Sequence, residues 1–484
     1  MKPPIISTLN LSLGLALGAC ILTPQSIQAD VIKANNSTAL TNGLSWVSGT
    51  GPGPGDVVVF DSRLYLGTNA NTISPAPLGG NLSILGIRVA GPVLGQADGK
   101  NGIVITNASS ANTLTIGTSG IDLSAPNAVP LDLQSKIVLS GSQTWNISDA
   151  SANITNPVPV LPLPAAQNHG DRYTAFLANE DEDLYFNALV AGTPFDLGGF
   201  TLNLMNSGST VIDQGYTVAN GVINVNQGTL VIQGGKSRQT TISNNVTINV
   251  AGGATLRLQT TSGAILSSAA INLADGSLLN LAAAGTAAGI VSNNIAVSGN
   301  ATLSQTQNPI VGGNNNTTNI VAANITGDPD ATLNLVPSQS GTATCVLQLS
   351  GDNSGFGGDI NINALTGIRP VRLSTATAGS ANASWTVSAS NILQVAGVAV
   401  ALGGLNGSGT ISNSVAATTA TINVGSGDFS GNIANAGTAV MALNKISAST
   451  LILERTNTYT GPTAVSNGTL LVNGSLASRV TVYS

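Results

Sequence analysis

A 24-residue self-similarity dominates the middle of this chain and restricts its fold more than any other feature. Ile223-Asn224-Val225 is followed by Gly228-Thr229-Leu230, and Ile248-Asn249-Val250 by Gly253-Ala254-Thr255-Leu256. The pattern returns as Ile271-Asn272-Leu273 with Gly276-Ser277-Leu278, as Ile295-Ala296-Val297 with Asn300-Ala301-Thr302-Leu303, and more loosely as Ile325 with Asp330-Ala331-Thr332-Leu333. The leading isoleucines step by 25, 23, 24 and 30 residues. A unit this short cannot bury its own apolar face, so copies must stack on one another and the fold must grow in one dimension.

Within a unit, alternation such as Ile248, Val250 and then Leu256, Leu258 predicts two short strands, with inward side chains at every second position. Gly, Asn and Asp fill the intervening turn, where positive φ or side-chain-to-backbone bonds are needed. Two strands and two turns per unit make one coil of a parallel β-helix. Asparagines at the turns, among them Asn244, Asn245, Asn293, Asn294 and Asn314 to Asn316, are expected to stack and hydrogen-bond along the rod. The predicted fold class is all-β, a right-handed parallel β-helix (solenoid), pectin-lyase-like or autotransporter-passenger-like. An up-and-down membrane barrel would require aromatic girdles, and 7 Phe, 6 Tyr and 3 Trp scattered over 484 residues do not form them.

Four segments follow from this pattern. Residues 1–29 read as a signal peptide: Lys2, an apolar run from Ile5 to Leu22, and a small-residue cleavage site ending at Ala29 before Asp30. Leu17-Gly18-Ala19-Cys20 offers the competing reading of a lipobox, with the protein lipid-anchored through Cys20. Residues 30–150 are expected to form an irregular β region that starts the β-helix. Residues 151–200 are a Pro-rich and acidic excursion, and residues 201–484 are the repetitive β-helix. No apolar run after the signal is long enough for a transmembrane helix.

Charged residues are only 7% of the chain, with 15 Lys and Arg and a net charge of −6. A nucleic-acid partner needs clustered cations, so none is expected. Chemistry is equally sparse. Cys20 and Cys345 are the only cysteines and His169 the only histidine, which leaves no disulfide framework and no multi-histidine metal site. Gly234-Gly235-Lys236-Ser237 lacks the earlier glycine of a phosphate loop, because Leu230 stands there. Asp328 and Asp330 are separated by Pro329 and make no calcium loop. The acidic run Glu180-Asp181-Glu182-Asp183, with Asp171, Arg172 and Tyr173 nearby, is the one cluster able to hold calcium or act on a polysaccharide. No second acidic cluster faces it, so no catalytic, cofactor or metal residue is assigned.

The most specific stretch lies near the C-terminus. Ser449-Thr450-Leu451-Ile452-Leu453 precedes Asn457-Thr458-Tyr459-Thr460-Gly461-Pro462-Thr463, then Asn467-Gly468-Thr469-Leu470-Leu471-Val472. It resembles the bacterial autotransporter-associated β-strand repeat, also called the passenger-associated transport repeat, placed at about 449–475. Leu347 to Asn353 with Phe356-Gly357-Gly358 resembles a degenerate second copy. Trp46 with Gly55-Asp56-Val57-Val58-Val59-Phe60 resembles the start of mature proteins of this type. The resemblance implies a β-helical passenger, exported to the extracellular space or cell surface and tied to adhesion, aggregation or matrix, with cell-surface or matrix glycans or proteins as partners. No translocating barrel follows the repeat, so a fragment, or use of the repeat without self-translocation, is expected. The leading expectation is a non-catalytic structural or adhesive protein; the alternative is a carbohydrate-active β-helical lyase or hydrolase.

Overall fold

The computed structural model describes residues 29–64, 74–90, 103–107, 111–125, 128, 131–147, 182–186, 192–212, 215–234, 240–260, 265–283, 289–292, 294–307, 318–337, 346–363 and 370–483. They form parallel strands stacked as a β-solenoid. Helix is confined to one 3₁₀ turn, Gly43–Ser45, among the described residues. Among the described residues every strand pairing is parallel, and two isolated bridges, Lys33 with Trp46 and Ala436 with Ala439, are antiparallel. Parallel pairing between consecutive coils excludes the antiparallel membrane barrel for these residues.

The isoleucines that announce the repeat become one column of the core. Ile223 pairs with Ile248, Ile248 with Ile271, Ile271 with Ile295 and Ile295 with Ile325, and all five are buried. A second column runs Leu230, Leu256, Leu279, Leu303, Leu335, Ile362, Val387. It continues through Gly407, Phe429, Leu453 and Val472. Gly407 is required there: its φ is +94°, and a Cβ would lie 2.3 Å from the Val387 carbonyl oxygen. Because alternate side chains face opposite ways, each strand gives two or three residues to this continuous interior and the rest to the outside.

The two-strand coil needs correction. From Ile265 to Ala434 a third set of short parallel strands adds a further wall, including Ile265–Ser267, Gly289–Val291, Thr318–Val321, Val346–Leu349, Pro370–Leu373 and Ile392–Val395. A third wall gives inward residues a further surface to pack against, which a two-walled coil with long turns would not provide.

The first ladder extends to the start of the described chain. Ala29–Ile32 pairs with Asp56–Asp61, which pairs with Leu82–Ala90 and then Thr113–Leu123, Gln143–Ile147 and Thr201–Ile212. Glu182–Phe186 lies between Leu131–Leu133 and Thr201–Ile212. At this level the interior becomes aromatic. Trp145 stacks on Phe195 with centroids 5.8 Å apart, and Tyr216 meets Phe195 edge-on at 6.2 Å. The Tyr216 hydroxyl donates toward the carbonyls of Leu133 and Ser135. Burial, then the nearby Asp132 charge, raises its pKa well above the ordinary phenol value.

The N-terminal end is closed by residues 33–51. Trp46 is buried and its Nε1 donates to the Leu40 carbonyl at 2.8 Å, while the Leu40 amide donates to Pro77 O. Lys33 is buried beneath this turn and donates to Ala34 O, Asn36 O and Asn36 Oδ1. Burial pushes its pKa down to about 8.

Candidate functional site

Few of the residues singled out for chemistry come together. His169, Asp171, Arg172, Tyr173, Glu180, Asp181, Cys20 and Cys345 lie outside the described residues, as do Gly235, Lys236 and Ser237. Glu182 and Asp183 belong to the strand Glu182–Phe186. Asp328 and Asp330 sit in a tight turn closed by the Ala331 amide donating to Asp328 O at 3.0 Å. Among the described residues no group of three His, Cys, Asp or Glu is positioned to hold a metal ion, and no helix is long and apolar enough to cross a membrane.

The C-terminal motif is built from the inside outward. Leu451 and Leu453 are fully buried. After Leu453 the chain turns into the two-residue strand Thr456–Asn457, whose asparagine side chain ties the corner to the coil before it. Asn457 Oδ1 accepts the Ile433 amide at 2.9 Å and Nδ2 donates to Arg455 O at 2.8 Å. Tyr459 follows, wholly buried, with its hydroxyl 2.6 Å from Thr463 Oγ1. Burial raises the Tyr459 pKa, and the hydroxyls of Ser478 and Thr463 pull it partly back. Gly468 turns the next corner at φ +72°, and a Cβ there would lie 2.2 Å from Ser447 O. The degenerate copy shares the amide-accepting half of this construction, while its Nδ2 reaches the next coil instead of its own. Asn353 Oδ1 accepts the Ile325 amide at 3.0 Å, Nδ2 donates to Ala378 O, and buried Phe356 takes the place of the tyrosine.

Sequence reasoning missed Lys445, which replaces an aliphatic residue between Val424 and Val465 in an inward column. It is buried, and its Nζ donates to Ser447 O and, at 3.3 Å, to Asn467 O. Burial lowers its pKa. Its signal was its inward parity with Leu443.

The outer surface carries a second regular construction. Asparagine stacking was expected at the turns, and Asn245 does lie in such a stack: its Oδ1 accepts the Asn220 amide, and Asn220 Nδ2 donates to Asp196 Oδ1. The longer ladder is in mid-strand. Asn224 Nδ2 donates to Asn203 Oδ1 at 2.8 Å, Asn249 to Asn224 at 2.7 Å and Asn272 to Asn249 at 2.7 Å. Its signal was the central residue of each Ile-Asn-Val or Ile-Asn-Leu triplet. A shallow depression flanks each end of this stripe. One is lined by Asp122, Thr144, Asn146 and Met205. The other, of about 420 Å³, is lined by Asn272, Ala296, Ser298, Thr326, Asp328 and Gly355 among others.

No curated protein and no solved structure matches this chain. The family model described as passenger-associated-transport-repeat matches residues 443–472. The match begins six residues before Ser449 and so includes Lys445. It covers the paired strands Thr450–Leu453 and Thr469–Val472 with the Asn457 and Tyr459 corner between them. This chain therefore carries a passenger-associated transport repeat, folded as part of the solenoid wall near its C-terminal end.

Proposed function

We propose that the protein is an exported, non-catalytic β-solenoid that works outside the cell as an adhesive or structural rod in the manner of an autotransporter passenger. The observation that carries the reading is the repeat at residues 443–472, continuous with a solenoid whose interior is built mainly of apolar columns and whose outer faces carry regular polar rows. A rod of this kind holds binding groups away from the cell and repeats them along one axis, so weak contacts add by multivalency. The few charged side chains and the spread of Asn, Ser and Thr over the outer faces suit broad, neutral contact better than a single catalytic centre.

The experiment is expression of the full chain in a bacterial host, with fractionation, mass spectrometry of the mature N-terminus, and adhesion of beads coated with residues 30–484 to cells and matrix. Recovery outside the cytoplasm with an N-terminus at Asp30, or at a lipidated Cys20, together with bead adhesion supports the reading. Retention of the intact chain in the cytoplasm with no bead adhesion overturns it.

A further inference from the structure

The geometry points to a binding site for one residue of a neutral glycan in the depression where the asparagine ladder ends. This deepens the adhesive reading and rests on it. The ladder has a direction. Each Nδ2 donates to the Oδ1 of the coil before it, from Asn272 through Asn249 and Asn224 to Asn203. A chain of amides polarised in one sense strengthens the group at its end. That group is Asn272 Oδ1, which receives no hydrogen bond from a described residue. The next position up the column is Ala296, and the one after it Thr326. The fifth amide is therefore missing, and its place is the floor of the depression.

What surrounds this gap sets the ligand class. Asn272 Oδ1 and the Asp328 carboxylate are acceptors, Thr326 supplies an exposed hydroxyl, the Ser298 hydroxyl donates to Leu273 O at 3.4 Å and presents its oxygen as a further acceptor, and Ala296 and Gly355 leave an apolar floor. Acceptors above a small apolar floor suit a sugar ring, which presents hydroxyl donors at its rim and C–H groups on its face. No Lys or Arg is among the described lining residues, and Asp328 repels anions, so an acidic sugar is disfavoured. A lone exposed carboxylate contributes too little to select an amine. The depression opens onto the ladder, so a linear glycan seated here continues along the rod over Asn249 and Asn224.

The test is Ala296→Asn in the full chain. An asparagine at this position continues a ladder that four coils already tolerate, and it fills the floor of the depression. Binding of cellohexaose, laminarihexaose, mannohexaose and chitohexaose is measured by saturation-transfer NMR and calorimetry, beside thermal melting and the bead adhesion assay. At least one hexasaccharide is expected to bind the natural chain, with at least tenfold weaker binding to Ala296→Asn and an unchanged melt. Asp328→Asn is expected to weaken the same ligand less. No binding of any hexasaccharide by the natural chain, or equal binding by Ala296→Asn, overturns the site. If the beads still adhere in that case, the adhesive reading survives without it. Should Ala296→Asn melt early, Asp328→Asn and Thr326→Val decide the matter, and equal binding by both overturns it.

Discussion

Asn457→Ala removes a side chain whose two polar atoms both serve the backbone of a buried corner. The Ile433 amide loses its acceptor at 2.9 Å, and Arg455 O loses a donor at 2.8 Å. Asn457 is fully buried, so water does not replace the acceptor unless the corner opens. A buried donor left unpaired costs about 1–3 kcal/mol, and the second bond contributes about 0.5–1.5 kcal/mol. The Thr458 and Tyr459 amides still donate to Ile433 O at 3.0 and 3.3 Å, so the corner is weakened rather than lost. The expected cost is about 2–4 kcal/mol, confined to the coils it joins, because a solenoid opens unit by unit. A bulk melt would dilute that effect. Native-state hydrogen exchange resolves it, and the Ile433 amide should exchange roughly 30- to 1000-fold faster, while Ile248 stays unchanged. Asn353→Ala should act in the same way on Ile325, whose amide that side chain accepts. Exchange at Ile433 within twofold of the natural chain would refute the view that the motif's asparagine acts by holding that amide.

Three shorter predictions follow from other parts of the rod. Gly468→Ala combines φ +72° with a Cβ 2.2 Å from Ser447 O, so it should cost more than about 1 kcal/mol and bring proteolytic cleavage to the C-terminal coil. Trp145→Phe strands Gln143 Oε1, which accepts from the indole at 2.8 Å, and should cost about 1–3 kcal/mol. Trp385→Phe should stay within about 1 kcal/mol, because the buried Trp385 Nε1 has no acceptor to lose; paired urea titrations separate the two. Lys33, with its folded pKa pushed down to about 8 from 10.5, binds fewer protons folded than unfolded between those values. Stability of the N-terminal cap should therefore rise as pH goes from 8 toward 10.5, and Lys33→Met should flatten that slope in exchange measurements on the Leu40 and Trp46 amides.

Much of this architecture was legible because a repeat samples one environment many times. The isoleucine column was readable directly, since Ile223, Ile248, Ile271, Ile295 and Ile325 share one inward position and tolerate little else. The leucine column was read with slips. Leu278 and Leu333 looked like the partners of Leu256 and Leu303, but the register pairs Leu279 with both of those and Leu335 with Leu303. Leu278 and Leu279 are adjacent, so the sequence gives no parity there and only the neighbouring coil decides which one turns inward; Leu333 and Leu335 are both buried, and there the slip is one of register, Leu333 pairing with Ala301. The third wall was invisible because strands as short as Ile265–Ser267 have no room for an alternating pattern. The asparagine ladder was present in the triplets but hidden by the commoner turn asparagines. The depression at its end depends on an absence, Ala296, that acquires meaning only beside Asn272. The acidic run Glu180 to Asp183 gave the loudest chemical signal in the sequence, yet none of its side chains lies among the described residues.

If the inward columns alone hold the rod, whole coils should be exchangeable provided their register is kept. Excision of Ile248 to Ala270 removes the 23-residue step between Ile248 and Ile271 and tests this directly. The new junction places Ile271 over Ile223, Asn272 over Asn224 and Leu273 over Val225, and it brings Leu279 over Leu230. Each of these partners is of the kind that occupied the site before. Every inward column closes, the amide ladder loses one rung without a gap, and the rod shortens by about 4.8 Å, one strand spacing. The excised chain should keep its β-type circular dichroism and give a slightly shorter particle in small-angle X-ray scattering. Excision of Ile248 to Leu258 instead joins the chain out of step and puts Gln259 and Thr261 at the places of Ile248 and Val250, so two polar residues replace two apolar ones in the inward column. That variant should aggregate or lose its β signal. Equal tolerance of both excisions would mean that composition holds the rod rather than register, and the columns traced here would lose their explanatory force.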